Sequence, residues 1–107
     1  MIYYVVTVAP RNLQITPKQL IYQPSEQIRL TCTAEGNPAP SYRWTNFDNE
    51  TVSDGADLTI DADANTTTYV FRCTATNNYN GKYYTATDVV IFNVDISLGK
   101  MQMSKNN

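Results

Sequence analysis

The 107-residue chain contains no histidine, so the commonest general base and the commonest borderline metal ligand are both missing. Charge is scarce as well. Only 17% of residues are charged and the formal net charge is −2, which excludes the basic surface of a nucleic-acid binder and the polyelectrolyte character of a disordered chain. The apolar run at residues 3–9 is interrupted by Thr7 and falls far short of the ~20 residues that cross a bilayer. It is also too short and too poorly flanked for a secretory leader. Glycines number 4 and none opens a phosphate-cradling loop. No window shows the three-to-four spacing of an amphipathic helix. What remains is a β-leaning chain, 42% apolar, of the length of one domain.

Two cysteines, Cys32 and Cys73, permit one intramolecular bridge, and the compartment decides whether it forms. Both sit in alternating segments, at residues 28–34 and 71–75, so both thiols point with their apolar neighbours into the core. A closed loop of this size adds about 4 kcal/mol in the chain-entropy model. The alternative is a pair of reduced, buried, hydrophobic cysteines. Two acceptor sequons, Asn49-Glu50-Thr51 and Asn65-Thr66-Thr67, favour the oxidising, secretory route and mark Asn49 and Asn65 as candidate glycosylation sites.

Residues 13–22 form a broken extended stretch with Pro17, which belongs at a sheet edge because proline cannot donate to a ladder. Alternating segments follow at 28–35, 42–44, 57–60, 69–76 and 82–94, separated by a proline-rich turn at 36–40, a polar stretch at 46–55 and the hairpin dipeptide Asn80-Gly81. Short strands at this spacing mean a sandwich or a barrel. The domain is expected over residues 10–95. Residues 1–9 are either an extra N-terminal strand or the end of a preceding domain, and residues 96–107 read as a linker or tail.

Trp44 lies between the cysteines, and several spaced segments accompany it: Ala34-Glu35-Gly36-Asn37-Pro38-Ala39-Pro40-Ser41-Tyr42-Arg43-Trp44, then Leu58-Thr59-Ile60, then Cys73-Thr74-Ala75-Thr76-Asn77. Together they resemble an intermediate-set, C2-like domain of the immunoglobulin superfamily, as found in tandem-immunoglobulin adhesion molecules and receptors. That resemblance implies an all-β, two-sheet Greek-key sandwich with one inter-sheet disulfide, Cys32–Cys73, under Trp44, and with Leu30, Leu58, Ile60 and Phe71 in the core. The sequence departs from the family in three places. Phe71 stands where a tyrosine hydroxyl usually ties down the crossing between sheets, Thr67 replaces an aspartate, and Tyr69 replaces a small residue, so that crossing is expected to be held differently. Gly81 comes one residue late, which implies a slightly longer F–G loop.

Catalysis finds little support. The acidic pairs Asp61 and Asp63, or Asp54 and Asp57, lack an enclosing cleft in so small a sandwich and read as solvated surface, and their spacing is not that of a calcium loop. No enzyme activity, metal or cofactor is expected. Binding is better supported by 8 tyrosines, a residue with large contact area and few rotors. Tyr42 and Tyr69 fall in the core phase. Arg43, Arg72, Thr74 and Ile91 share the opposite phase of the sheet that the family letters G-F-C, and Tyr79, Tyr83 and Tyr84 lie at or near its F–G loop. The resemblance implies an extracellular, non-catalytic module of a cell-surface receptor, bound through that sheet or loop to a protein partner, a second copy included, with the membrane reached only through the parent receptor. Its rivals are a structural spacer in a tandem array and a soluble immune-type binder of glycans. A face on which Arg43, Arg72 and Tyr83 are exposed and contiguous with Ile91 supports the first; a purely polar face supports the spacer.

Overall fold

The computed structural model describes residues 6–63 and 65–95. It is all β among the described residues, with strands β1 (Val8–Thr16), β2 (Ile21–Tyr22), β3 (Gln27–Asn37), β4 (Ser41–Asn46), β5 (Thr51–Ser53), β6 (Asp57–Asp61), β7 (Thr68–Tyr79) and β8 (Lys82–Val94). Two sheets face each other, a back sheet ordered β1-β3-β6 and a front sheet ordered β2-β8-β7-β4-β5. Eight strands stand where six segments were read from the sequence. The first extended stretch divides at Pro17 into β1 on the back sheet and β2 on the front, and the polar stretch after Asn46 supplies the short edge strand β5. Val8 and Ala9 open β1, which pairs with β3 through two bulges. Residues 96–107 lie outside the described residues.

Alternation builds the core. Ile28, Leu30 and Cys32 of β3 face Phe71, Cys73 and Ala75 of β7 and Phe92 and Val94 of β8, all buried, with Leu58 beneath them and Ile60 packed against the cluster. The Cys32–Cys73 disulfide joins the two sheets. Trp44 sits in register with Cys73 on the neighbouring strand, and its indole Nε1 donates to the Ala56 carbonyl at 2.9 Å, which satisfies the ring's one polar atom where it is fully buried. Tyr42 donates its hydroxyl to the Ala34 carbonyl and accepts from the Ala34 amide. At the opposite end the rings of Tyr22, Tyr69 and Phe71 gather on Phe92 at centroid distances of 5.1, 5.4 and 6.2 Å.

The crossing from β6 to β7 is indeed held differently. The hydroxyl that position 71 lacks is supplied by Tyr69, which accepts the Asp63 N–H at 2.9 Å while stacking on Phe71. Between β7 and β8 the expectation of a longer loop fails. Asn80 (φ 54°) and Gly81 (φ 78°) both adopt the left-handed conformation, the two-residue hairpin that an Asn-Gly pair prefers, so ladder pairing runs on to Tyr79 and Lys82 and the late glycine is absorbed by longer strands.

Candidate functional site

The outer side of the front sheet is written by its register. On β7 the buried positions are 71, 73, 75 and 77, so Val70, Arg72, Thr74, Thr76 and Asn78 point outward. Across the sheet Arg43, Thr74 and Thr87 form one row, Thr45, Arg72 and Val89 the next, and Val70 meets Ile91 beyond it. Tyr83 closes the other end, opposite Asn78. Arg43, Arg72, Thr74 and Tyr83 line one shallow depression of about 600 Å³.

The face is therefore two-toned. Its upper half carries two guanidiniums among threonines, with Tyr83 69% exposed. Its lower half is apolar, with Ile91 55% and Phe47 80% exposed and with Val70, Val89 and Phe47 lining a second depression beside Arg72. Arg43 reaches Asp54 at 3.7 Å with both side chains largely in solvent, a contact worth under about 1 kcal/mol. The Arg72 guanidinium has no ion-pair or hydrogen-bond partner among the described residues, so its charge is open to a partner. Phe47 and the neighbouring Asn49 were not expected here. They sit in the polar stretch read as a turn, and no alternation marks a single aromatic at a turn tip.

Of the three tyrosines expected at or near the F–G loop, Tyr79 and Tyr83 are exposed, but only Tyr83 lies on this face. Tyr79 is on the inward phase of β7, past the end of the core, and Tyr84 pairs with the buried Asn77, half-buried itself with the Lys82 ammonium 5.5 Å from its ring centroid. The tight hairpin leaves no F–G loop to present them.

The acidic residues have local partners. Asp54 meets Arg43, Asp57 accepts from the Thr31 hydroxyl at 2.8 Å, Asp61 accepts from Gln27, and Asp63 caps the Asn65 amide at 2.7 Å. None is buried. The ionisable group that burial does perturb is Tyr22, whose hydroxyl is buried without a hydrogen-bond partner. Desolvation first, and the Glu26 carboxylate second, raise its pKa above the usual tyrosine value.

At the free side of β8 a second groove, about 270 Å³, is lined by Leu13, Pro17, Leu20, Asp88, Val89 and Ile91. Asn93 and Asp95 donate to β2 residues or their neighbours and Val94 donates to Thr67 on the other side, so alternation turns the amides of Val89 and Ile91 toward this groove. Among the described residues β2 pairs with Asn93 and Val94 alone. The Asp88 carboxylate accepts the Val89 N–H at 2.9 Å.

A family model described as "Immunoglobulin domain" matches residues 10–77, more than half of the chain. The protein belongs to the immunoglobulin-domain family. Its sandwich aligns at a TM-score of 0.65, with 26% identity, to the structure of an amphioxus IgVJ-C2 molecule, over 81% of this chain and 45% of that one. Two relatives are similar in sequence. The human MAM domain-containing glycosylphosphatidylinositol anchor protein 2 is 29% identical over 90 residues, 79% of this chain and 9% of that protein. The chicken neuronal cell adhesion molecule is 38% identical over 58 residues, 54% of this chain and 4% of that protein. The chain thus spans under a tenth of each relative's length. The split order of the sheets, with the short β5 on the front sheet, agrees with a C2-like immunoglobulin domain.

Proposed function

We propose that this immunoglobulin domain is an extracellular, non-catalytic adhesion module that binds a protein partner through its front sheet. The observation that carries the reading is the contiguity of exposed Arg43, Arg72 and Tyr83 with exposed Val89 and Ile91 on one face. A purely polar sheet would suit a spacer. Here a charge with no partner lies beside apolar area, the pairing of aromatic, arginine and aliphatic contacts from which interface anchors are built. Similarity to an adhesion molecule and to a glycosylphosphatidylinositol-anchored protein supports a place at the cell surface.

Homophilic pairing is the first form to test. Sedimentation velocity up to about 100 μM detects micromolar self-association, which corresponds to about −8 kcal/mol. The intact chain is expected to associate, and Arg72→Glu and Ile91→Glu to abolish association without changing the monomer's fold by circular dichroism. A strictly monomeric chain excludes the homophilic form, capture of cell-surface proteins that is insensitive to both substitutions overturns binding through the front sheet, and capture of none favours the spacer.

A further inference from the structure

Asn49 stands at the tip of the β4–β5 turn with φ 63°, a left-handed conformation that asparagine tolerates better than most residues. The turn is held by Asn46. Its Oδ1 accepts the Asp48 and Glu50 amides, each at 2.9 Å, and its backbone carbonyl accepts the Asn49 amide at 3.0 Å. The Asn49 side-chain amide takes no part and has no partner among the described residues. It is exposed and lines both depressions of the front face, beside Arg43, Arg72 and Tyr83 in one and beside Phe47, Val70 and Val89 in the other. Thr51, the third residue of the sequon, is also exposed, in register with Thr45 on the same sheet. The folded domain therefore accommodates a sugar on Asn49 without disturbing a bond. Asn65, the other acceptor, lies on the β6–β7 crossing and lines neither depression.

We infer that an N-glycan on Asn49 is a cap over the front sheet, closing the arginine and apolar halves together. A protein partner needs a footprint of about 800 Å² on each side. A patch of that size centred on Arg72 takes in the surroundings of Asn49, so a bulky hydrated glycan and a docked partner compete for the same ground. The modification is ordinary transfer from a lipid-diphosphate-linked oligosaccharide. The Asn49 Nδ2 bonds to the anomeric carbon, the bond from that carbon to the diphosphate breaks, the lipid diphosphate leaves with the electron pair, and the transferase takes the amide proton. The inference rests on the secretory part of the proposed function and not on the existence of a partner.

The test is expression of the full chain in a secreting, glycosylating host, as wild type, Thr51→Ala, Asn49→Gln and Asn65→Gln. Thr51→Ala removes the acceptor signal while leaving the Asn49 turn untouched. Glycopeptide mass spectrometry reads occupancy, and phenylglyoxal labelling reads access to Arg72, with exposed Arg29 of the back sheet as the internal reference. The expected result is an occupied Asn49 and Arg72 labelling several-fold slower in wild type than in Thr51→Ala or Asn49→Gln, relative to Arg29, with Asn65→Gln behaving as wild type. A bare Asn49 in the secreted chain, or equal labelling of Arg72 with and without the sugar, overturns the inference. If labelling shows the cap and the uncapped chain still binds nothing, the adhesion reading fails and the cap stands.

Discussion

The side-chain nitrogen of Asn77 crowds the place that a Cβ on Gly36 would take. Such a carbon would stand 3.1 Å from Asn77 Nδ2, 3.0 Å from Pro40 Cγ and 3.3 Å from the Val8 carbonyl. From that position Nδ2 donates to the Val8 carbonyl at 2.8 Å and to the Pro38 carbonyl at 2.9 Å, binding β1, the β3–β4 turn and β7 at one pole. Gly36→Ala is expected to cost about 1–3 kcal/mol through overpacking, and Asn77→Ala about 1–3 kcal/mol through carbonyls left unpaired. Because each residue shapes the other's site, the double variant should cost less than the sum. Urea denaturation of the four proteins gives the coupling energy.

The Tyr69 hydroxyl is the tie between the β6–β7 crossing and the sheet. Tyr69→Phe keeps the ring stack and loses one hydrogen bond, so the expected loss is about 1 kcal/mol. Hydrogen exchange should show the change concentrated at the Asp63 amide, which loses its acceptor. Uniform acceleration over the whole domain would mean that the hydroxyl does not act locally.

Tyr22 carries a buried hydroxyl with nothing to bond. Tyr22→Phe removes that polar atom from an apolar site and should raise stability, by up to about 1–3 kcal/mol. The pH dependence has a definite sign. The folded state holds the Tyr22 proton more tightly than the unfolded chain, whose tyrosines ionise near pH ~10. This contribution to stability is therefore complete below pH ~10 and is lost as the pH climbs through the raised folded value. Urea midpoints measured at increasing alkaline pH should fall more steeply for wild type than for Tyr22→Phe.

Asp88 protects a bare edge. Its phase on β8 points it between the sheets, and its carboxylate holds the Val89 amide beside a groove lined with apolar side chains. A charge so placed discourages another strand from adding to the edge. Asp88→Val exposes the amide and removes the charge, and in the Arg72→Glu background, where front-sheet pairing is removed, it is expected to dimerise or aggregate at concentrations where Arg72→Glu alone does not, with Asp88→Asn intermediate. Sedimentation together with exchange protection at Val89 and Ile91 would read both effects.

Much of the scaffold could be read from residue order because it depends on local alternation: Cys32, Trp44 and Cys73 lie in the core, and the Asn80-Gly81 turn is where that dipeptide belongs. The positions of Arg43, Arg72, Thr74 and Ile91 on one face followed from the same period of two. What the order of residues hid was set by partners distant in sequence. Tyr79 and Tyr84 turned away because the hairpin tightened, Tyr69 took over a hydroxyl's duty from position 71, and Phe47 joined the face only because β5 folds its turn alongside. Division of the first stretch between two sheets was equally out of reach, since it depends on β8 offering an edge to β2.

That short parallel pair has a mechanical meaning. β1 enters at the pole of Asn37 and Asn77, while β8 leaves beside Tyr22 at the other. Tension between Thr7 and Asp95 pulls β2 and β8 in opposite directions along their length, so the bonds from Asn93 to Leu20 and from Asp95 to Tyr22 are sheared together. Those bonds do not carry the load alone, since β1 is laddered to β3 from Val8 to Thr16 and β8 to β7 over nearly its whole length. When these ladders have also parted, the pull passes through Cys32 and Cys73, and the chain enclosed between them is taken out of the line of force. The domain lengthens by the stretch ahead of Cys32 and the stretch after Cys73 and then stops against a covalent limit.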